Sequence, residues 1–217
     1  MINDIKTILF DFDGVVVDSE PAHARSKKIV LEKFNIPYSP IIFEDFKGKT
    51  DQVFFDFIAE HLDPERRLPD VFLKAKNDSF EELITEIDLI DGFLTFHKKA
   101  KTKGIQTALV SSTTLYSFQR IDRIYHLSDL FDLVITGADT KMHKPHPEPY
   151  LKAYQLLNLD HKNTIVIEDS PNGICSAKKA GCFVFGITNS FSGEILREAG
   201  ADEIVGSYKE LEIGIGL

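Results

Sequence analysis

Two aspartates stand two positions apart where an apolar run ends, in the segment TILFDFDGVVVDSEP, with a glycine directly behind them. Carboxylates this close repel unless water screens them or a positive charge lies between them. Asp11 and Asp13 are therefore either a solvated turn or a site that holds a cation and does chemistry. Three other segments bear on the choice. The apolar run QTALV leads into Ser111 and Ser112, TIVIE delivers Glu168 and Asp169, and the proline-stiffened loop GADTKMHKPHPEP carries Lys144. Four carboxylates in one crevice need a hard cation, and oxygen ligands without a Cys or His cluster point to magnesium. Lys144 and such a cation can neutralise a phosphoryl group while a serine hydroxyl hydrogen-bonds to it, which describes phosphoryl transfer. One aspartate can then attack phosphorus to form an aspartyl phosphate, leaving the other to act as acid and base.

These residues reach one mouth only if the right elements carry them. Short, continuously apolar runs at 105–111, 132–136, 163–168, 182–187 and 203–205, with a further one at the start of the chain, read as strands buried on both faces. Amphipathic stretches between them, such as GFLTFHKKAKTKG and GICSAKKAG, read as helices closed by Gly104 and Gly181. Strand and helix in alternation predict an α/β fold, a Rossmann-like parallel sheet with helices on both faces, whose ligands bind beyond the carboxyl ends of the strands. Alternation puts residues 11 and 13 on one side with Phe12 turned into the core, and Gly14 lets the backbone leave the strand.

Residues 17–87 break the rhythm. They contain no evident buried strand but show helical spacing in AHARSKKIVLEKFNI, DQVFFDFIAEHL and DVFLKAKNDSFEELITEI. The expected organisation is a core of residues 1–16 and 88–217 interrupted by a small helical cap of residues 17–87. VFFDFI reads as cap packing; Lys49 and Lys76 read as solvated.

A length of 217 residues is enough for a substantial core, and 43% apolar with 27% charged residues is ordinary for a globular chain. The formal net charge of −9 argues against a nucleic-acid or anionic-membrane partner. No run approaches the ~20 apolar residues of a membrane span. Cys175 and Cys182 cannot form a disulfide scaffold and read as small buried core residues. A cytoplasmic protein, monomer or weak dimer, acting on a small phosphorylated metabolite is the expectation.

With these motifs in order, the sequence resembles the haloacid-dehalogenase-like (HAD) superfamily in its β-phosphoglucomutase-like phosphatase branch. The resemblance is carried by DFDGV, by Ser111 in ALVSS, by Lys144 in HKPHPEPY and by Glu168 and Asp169 in VIEDSPNG, and it extends over nearly the whole chain. It implies that Asp11 is the nucleophile and a magnesium ligand, and that Asp13 is the general acid and base and lends magnesium its backbone carbonyl. Ser111 and Lys144 would hold the phosphoryl group, with Asp169 and Glu168 completing the metal site. Ser112 would assist at the substrate, as would Gly48, His23, Lys76 and Asn77 from the cap.

Departures from the family pattern sharpen the expectation. Asp51, in FKGKTDQ, stands where the mutases carry an arginine that grips a second phosphate, and an acid cannot do that. His143 replaces the usual glycine before Lys144-Pro145 and is expected to narrow the mouth. The favoured function is a Mg2+-dependent phosphatase of a sugar or polyol phosphate, and a β-phosphoglucomutase-type isomerase is the alternative. A dehalogenase would leave the second aspartate and the Glu168-Asp169 pair without purpose, and a phospho-acceptor receiver domain would have no inserted cap. His23 either hydrogen-bonds within the cap or touches substrate. The pair His143 and His146 lacks the third partner of a metal site.

Overall fold

A computed structural model describes residues 4–46 and 51–217. The strands are β1 (Thr7–Phe10), β2 (Val17–Asp18), β3 (Asp88–Leu89), β4 (Gln106–Val110), β5 (Leu133–Ile135), β6 (Thr164–Glu168), β7 (Phe183–Ile187) and β8 (Glu203–Val205). Six of them form one sheet in the order β5-β4-β1-β6-β7-β8, with every neighbouring pair parallel. The parallel, doubly covered sheet expected from the apolar runs is therefore present, with helices α5 (Phe93–Thr102), α6 (Leu115–Tyr125), α7 (Glu148–Leu157), α8 (Pro171–Lys179), α9 (Gly193–Glu198) and α10 (Tyr208–Ile215) between and after the strands.

β1 shows why its sequence is apolar without alternation. Leu9 packs with Val110, Val166, Tyr150 and Ile174 on one face of the sheet. Phe10 points to the other, its ring 5.8 Å from Phe93, 6.1 Å from Phe96 and 5.6 Å from Phe131. Ile8, Leu9 and Phe10 are wholly buried, each contributing about 1.5–3 kcal/mol through apolar burial. The register sets Phe10 beside Leu109 and Ile167, so β1, β4 and β6 end level with one another.

By its internal contacts the chain divides into two units, Met1–Asp18 with Asp88–Leu217, and Ser19–Ile87. Val17 and Asp18 belong with the sheet unit because they pair antiparallel with Leu89 and Asp88, a short ribbon whose two-residue strands carry no readable pattern. The second unit holds α1 (Glu20–Lys33), α2 (Ile41–Asp45), α3 (Asp51–Phe57) and α4 (Pro69–Leu83). Its core joins Val30 and Leu31 of α1 to Phe54, Phe55, Ile58, Phe72 and Ala75. The expected helix over 51–62 is not continuous: α3 stops at Phe57 and a wider π turn covers Ile58–Leu62.

Two expectations about single side chains are corrected. Lys76 is 3% exposed rather than solvated, because its ammonium meets Asp51 at 2.7 Å. Cys182 is buried as expected, but Cys175 is only half-buried, and both are free thiols. Among the described residues no helix is long and apolar enough to cross a membrane.

Candidate active site

The sheet order places β1 between β4 and β6, and the loops leaving their carboxyl ends meet around a cavity of about 310 Å³. Asp11, Asp13, Ser111 and Lys144 line it, as does exposed Ser112. Thr113, Ser170 and Asn172 complete the lining. Asp11 is buried, its backbone N–H still bonded to Ile167 O at 3.0 Å, while Asp13 is half-buried and Phe12 wholly buried between them.

Lys144 is the hub. Its Nζ donates to Asp11 Oδ1 at 2.6 Å, to Glu168 Oε1 at 2.6 Å and to the Val110 carbonyl at 2.8 Å. Tyr150, from the first turn of α7, donates its hydroxyl to the same Glu168 Oε1 at 2.7 Å, and its ring centre lies 4.9 Å from the Lys144 ammonium. The other oxygen of Glu168 accepts from Ser170 Oγ at 3.2 Å. A carboxylate with no exposed surface is thus tied to a cation, a phenol and a hydroxyl, which is what a buried charge requires.

Asp169 turns the other way. Ser190 Oγ donates to its Oδ2, and Asn189 Nδ2 donates to the Gly14 carbonyl at 2.6 Å, so the loop after β7 braces both Asp169 and the turn behind Asp13. Gly14 has φ +72°, and a Cβ there would stand 1.7 Å from Asp169 Oδ2. Glycine is needed for the turn and for the approach of the carboxylate alike.

Asp11, Glu168 and Asp169 each offer a carboxylate oxygen, and these atoms lie within 4.8 Å of one another. One lysine does not balance them. Burial and the Glu168 charge, opposed by Lys144, push Asp11 up to about 7. Burial with Asp11 and Glu168 also drives Asp169 well above the carboxylate range. Burial works against the charge on Lys144, yet Asp11 and Glu168 outweigh it and raise the lysine. Buried, all-oxygen donors with unbalanced negative charge fit a hard divalent cation such as magnesium.

The structure brings Asp11, Asp13, Ser111, Ser112, Lys144, Glu168 and Asp169 to this one end of the sheet. His23, Lys76 and Asn77 lie in the helical unit. His23 Nδ1 is 2.9 Å from Lys76 Nζ with its ring stacked on Phe80 at 4.2 Å, whereas Asn77 is exposed. Gly48 and Lys49 fall outside the described residues. His143, expected to narrow the mouth, does not line the cavity. It is exposed, 3.5 Å from Thr140 Oγ1. Sequence reasoning missed Thr113, Tyr150, Asn189 and Ser190. Tyr150, six residues after Lys144 in the same segment, was the most accessible of these.

The haloacid dehalogenase-like hydrolase family model matches residues 8–187, and the chain belongs to that family. A phosphorylated carbohydrates phosphatase from Thermotoga maritima is 30% identical over 222 residues, covering 95% of this chain and all of the relative. A glycerol-1-phosphate phosphohydrolase from Saccharomyces cerevisiae is 39% identical over 220 residues, covering 97% of this chain and 85% of the relative. The crystal structure of a Thermotoga maritima protein provisionally named a β-phosphoglucomutase superposes with a TM-score of 0.81 at 27% identity, covering 98% of this chain and 100% of that one.

Proposed function

We propose that the chain is a magnesium-dependent phosphatase of small phosphorylated sugars or polyols, working through a phosphorylated Asp11. The observation that carries this reading is the bridge made by Lys144, 2.6 Å from both Asp11 and Glu168, with Asp169 in the same cluster. An Asp11 oxygen attacks phosphorus in line with the departing ester oxygen, and Asp13 protonates that oxygen as it leaves. Water then attacks the aspartyl phosphate, giving its proton to Asp13, and inorganic phosphate departs. Lys144 and the Ser111 hydroxyl hold the non-bridging oxygens throughout. Asp11, Asp169 and the Asp13 carbonyl would hold magnesium, with Glu168 beside them, and the metal would supply charge neutralisation for the phosphoryl oxygens.

The phosphorylated-carbohydrate and glycerol-phosphate activities named for the relatives support the substrate class. The helical unit serves as the cap and contributes His23, Lys76, Asn77 and Gly48 to substrate selection, while Ser112 contributes from the sheet unit. Hydrolysis is preferred to phosphate exchange because Asp51 lies 2.7 Å from Lys76 and 3.0 Å from Lys27, with a charge that cannot grip a second phosphate.

The test is phosphate release from a panel of phosphomonoesters with and without magnesium, with Asp11→Asn alongside. Release that needs both the metal and Asp11 is expected. Turnover by Asp11→Asn near the wild-type rate overturns the mechanism. Glucose 6-phosphate accumulating from β-glucose 1-phosphate and a bisphosphate primer gives the site to a mutase.

A further inference from the structure

Thr113 makes two hydrogen bonds at the cavity that its place in the fold does not require. Its hydroxyl donates to Asp13 Oδ2 at 2.6 Å, across a hundred residues of sequence. Its backbone N–H donates to Ser111 Oγ at 2.9 Å. The turn from β4 into α6 is already closed by the next residue, whose Thr114 Oγ1 accepts from Ser117 N at 3.1 Å. The hydroxyl of Thr113 is therefore spare for the local structure and is spent on Asp13.

A carboxyl group that gives and takes a proton must present one chosen oxygen to the reacting atom. Rotation about its Cβ–Cγ bond would otherwise present either. A hydroxyl donating to Oδ2 engages that atom and leaves Oδ1 as the oxygen free to exchange a proton. We propose that Thr113 is a positioning residue for proton transfer: through its bond to Oδ2 it aims Oδ1 of Asp13 at the ester oxygen, and through Ser111 it ties that aim to the phosphoryl group.

The proposal rests on the reading of Asp13 as acid and base. In the first half-reaction an Asp11 oxygen bonds to phosphorus while the ester P–O bond breaks. The electron pair leaves on the ester oxygen, which receives the proton from Asp13 Oδ1. In the second, water bonds to phosphorus, its proton passes to Oδ1, and the bond to Asp11 breaks. Thr113 gains and loses nothing in either half; it only orients.

The need for a proton depends on the leaving group, which gives the test. An alkoxide from a polyol requires protonation, whereas p-nitrophenolate leaves without it. Single-turnover cleavage of glycerol 1-phosphate and of p-nitrophenyl phosphate reports the first half-reaction alone. Because general acid catalysis contributes about 10²–10⁴-fold and Thr113 supplies only its aim, Thr113→Val is expected to slow the alkyl ester by about 10- to 100-fold. Release of p-nitrophenolate should fall by less than about threefold, since that group leaves without the acid. Thr113→Ser should restore the alkyl ester, and Thr113→Ala, which adds no apolar branch, should show the same split as Thr113→Val if the valine variant folds poorly. Equal losses on both esters, wild-type rates in the valine and alanine variants, or no rescue by serine overturns the proposal alone. No release from either ester by the wild type overturns the phosphatase reading and this assignment together.

Discussion

Gly173 sits in the first turn of α8, where alanine would ordinarily help by up to about 1 kcal/mol. Its backbone is outside the left-handed region, so no torsional penalty opposes the change. The obstacle is Glu168: a Cβ on residue 173 would lie 1.8 Å from Oε1 and 2.0 Å from Cδ, where real Cβ atoms keep at least 3.0 Å. Relief requires the carboxylate to move by more than an ångström, from 1.8 to 3.0 Å, and its bonds from Lys144 at 2.6 Å and Tyr150 at 2.7 Å do not survive that. Hydrogen bonds to charged groups contribute about 1.5–3 kcal/mol each. Losing two of them, less the helical gain, puts Gly173→Ala about 2–5 kcal/mol below wild type. Far-ultraviolet circular dichroism in urea measures this in a chain without tryptophan. A double-mutant cycle isolates the cause: in a Glu168→Ala background the same substitution should cost nothing or stabilise slightly. Equal or greater stability of the single variant would refute the claim that Glu168 is pinned, and with it the geometry of Lys144.

Two further outcomes follow from groups away from the cavity. His97 is buried among Phe10, Phe93 and Phe131 with Nε2 3.1 Å from Thr107 Oγ1; burial, helped by Lys101, lowers it to about 4. The unfolded chain takes up a proton that the folded imidazole refuses, so stability should fall as pH drops from about 6.5 towards 4, by about 2 kcal/mol at pH 5. Urea titrations at pH 7.5 and 5 check this, and a His97→Gln variant should lose that part of the slope. In the helical unit, Asp51→Asn leaves the Lys76 ammonium, whose side chain is 4% exposed, without its carboxylate. A loss of about 3 kcal/mol is expected, read as faster amide exchange in α1 and α4, with most of it recovered in Asp51→Asn/Lys76→Met. Unchanged exchange would count against the ion pair.

The strand ends were legible because buried parallel strands are apolar throughout and then turn abruptly polar: Phe10 to Asp11, Val110 to Ser111, Ile167 to Glu168. That contrast is local, and so are the glycines that close α5 and α8. The braces were not legible. Tyr150 meets Glu168 across 18 residues, Ser190 meets Asp169 across 21, and Asn189 meets the Gly14 carbonyl across 175. No periodicity links such partners; only the sheet order brings them together. Lys76 failed for the same reason. A lysine on an amphipathic helix reads as solvated until Asp51, 25 positions earlier, is folded beside it. The break in the 51–62 helix also escaped, since DQVFFDFIAEHL keeps helical spacing straight through the residues that widen into a π turn.

The seat of Asp11 on the central strand has a consequence for synthesis. β1 leaves the ribosome well before its two neighbours in the sheet, which begin at Gln106 and Thr164. Until those segments emerge, the nascent chain carries Asp11 with neither Lys144 nor the Glu168-Asp169 pair beside it. Pairing over such separations is slow and cannot be completed piecemeal. The cluster of Asp11, Lys144, Glu168 and Asp169 therefore assembles late, once β1 has both of its neighbours.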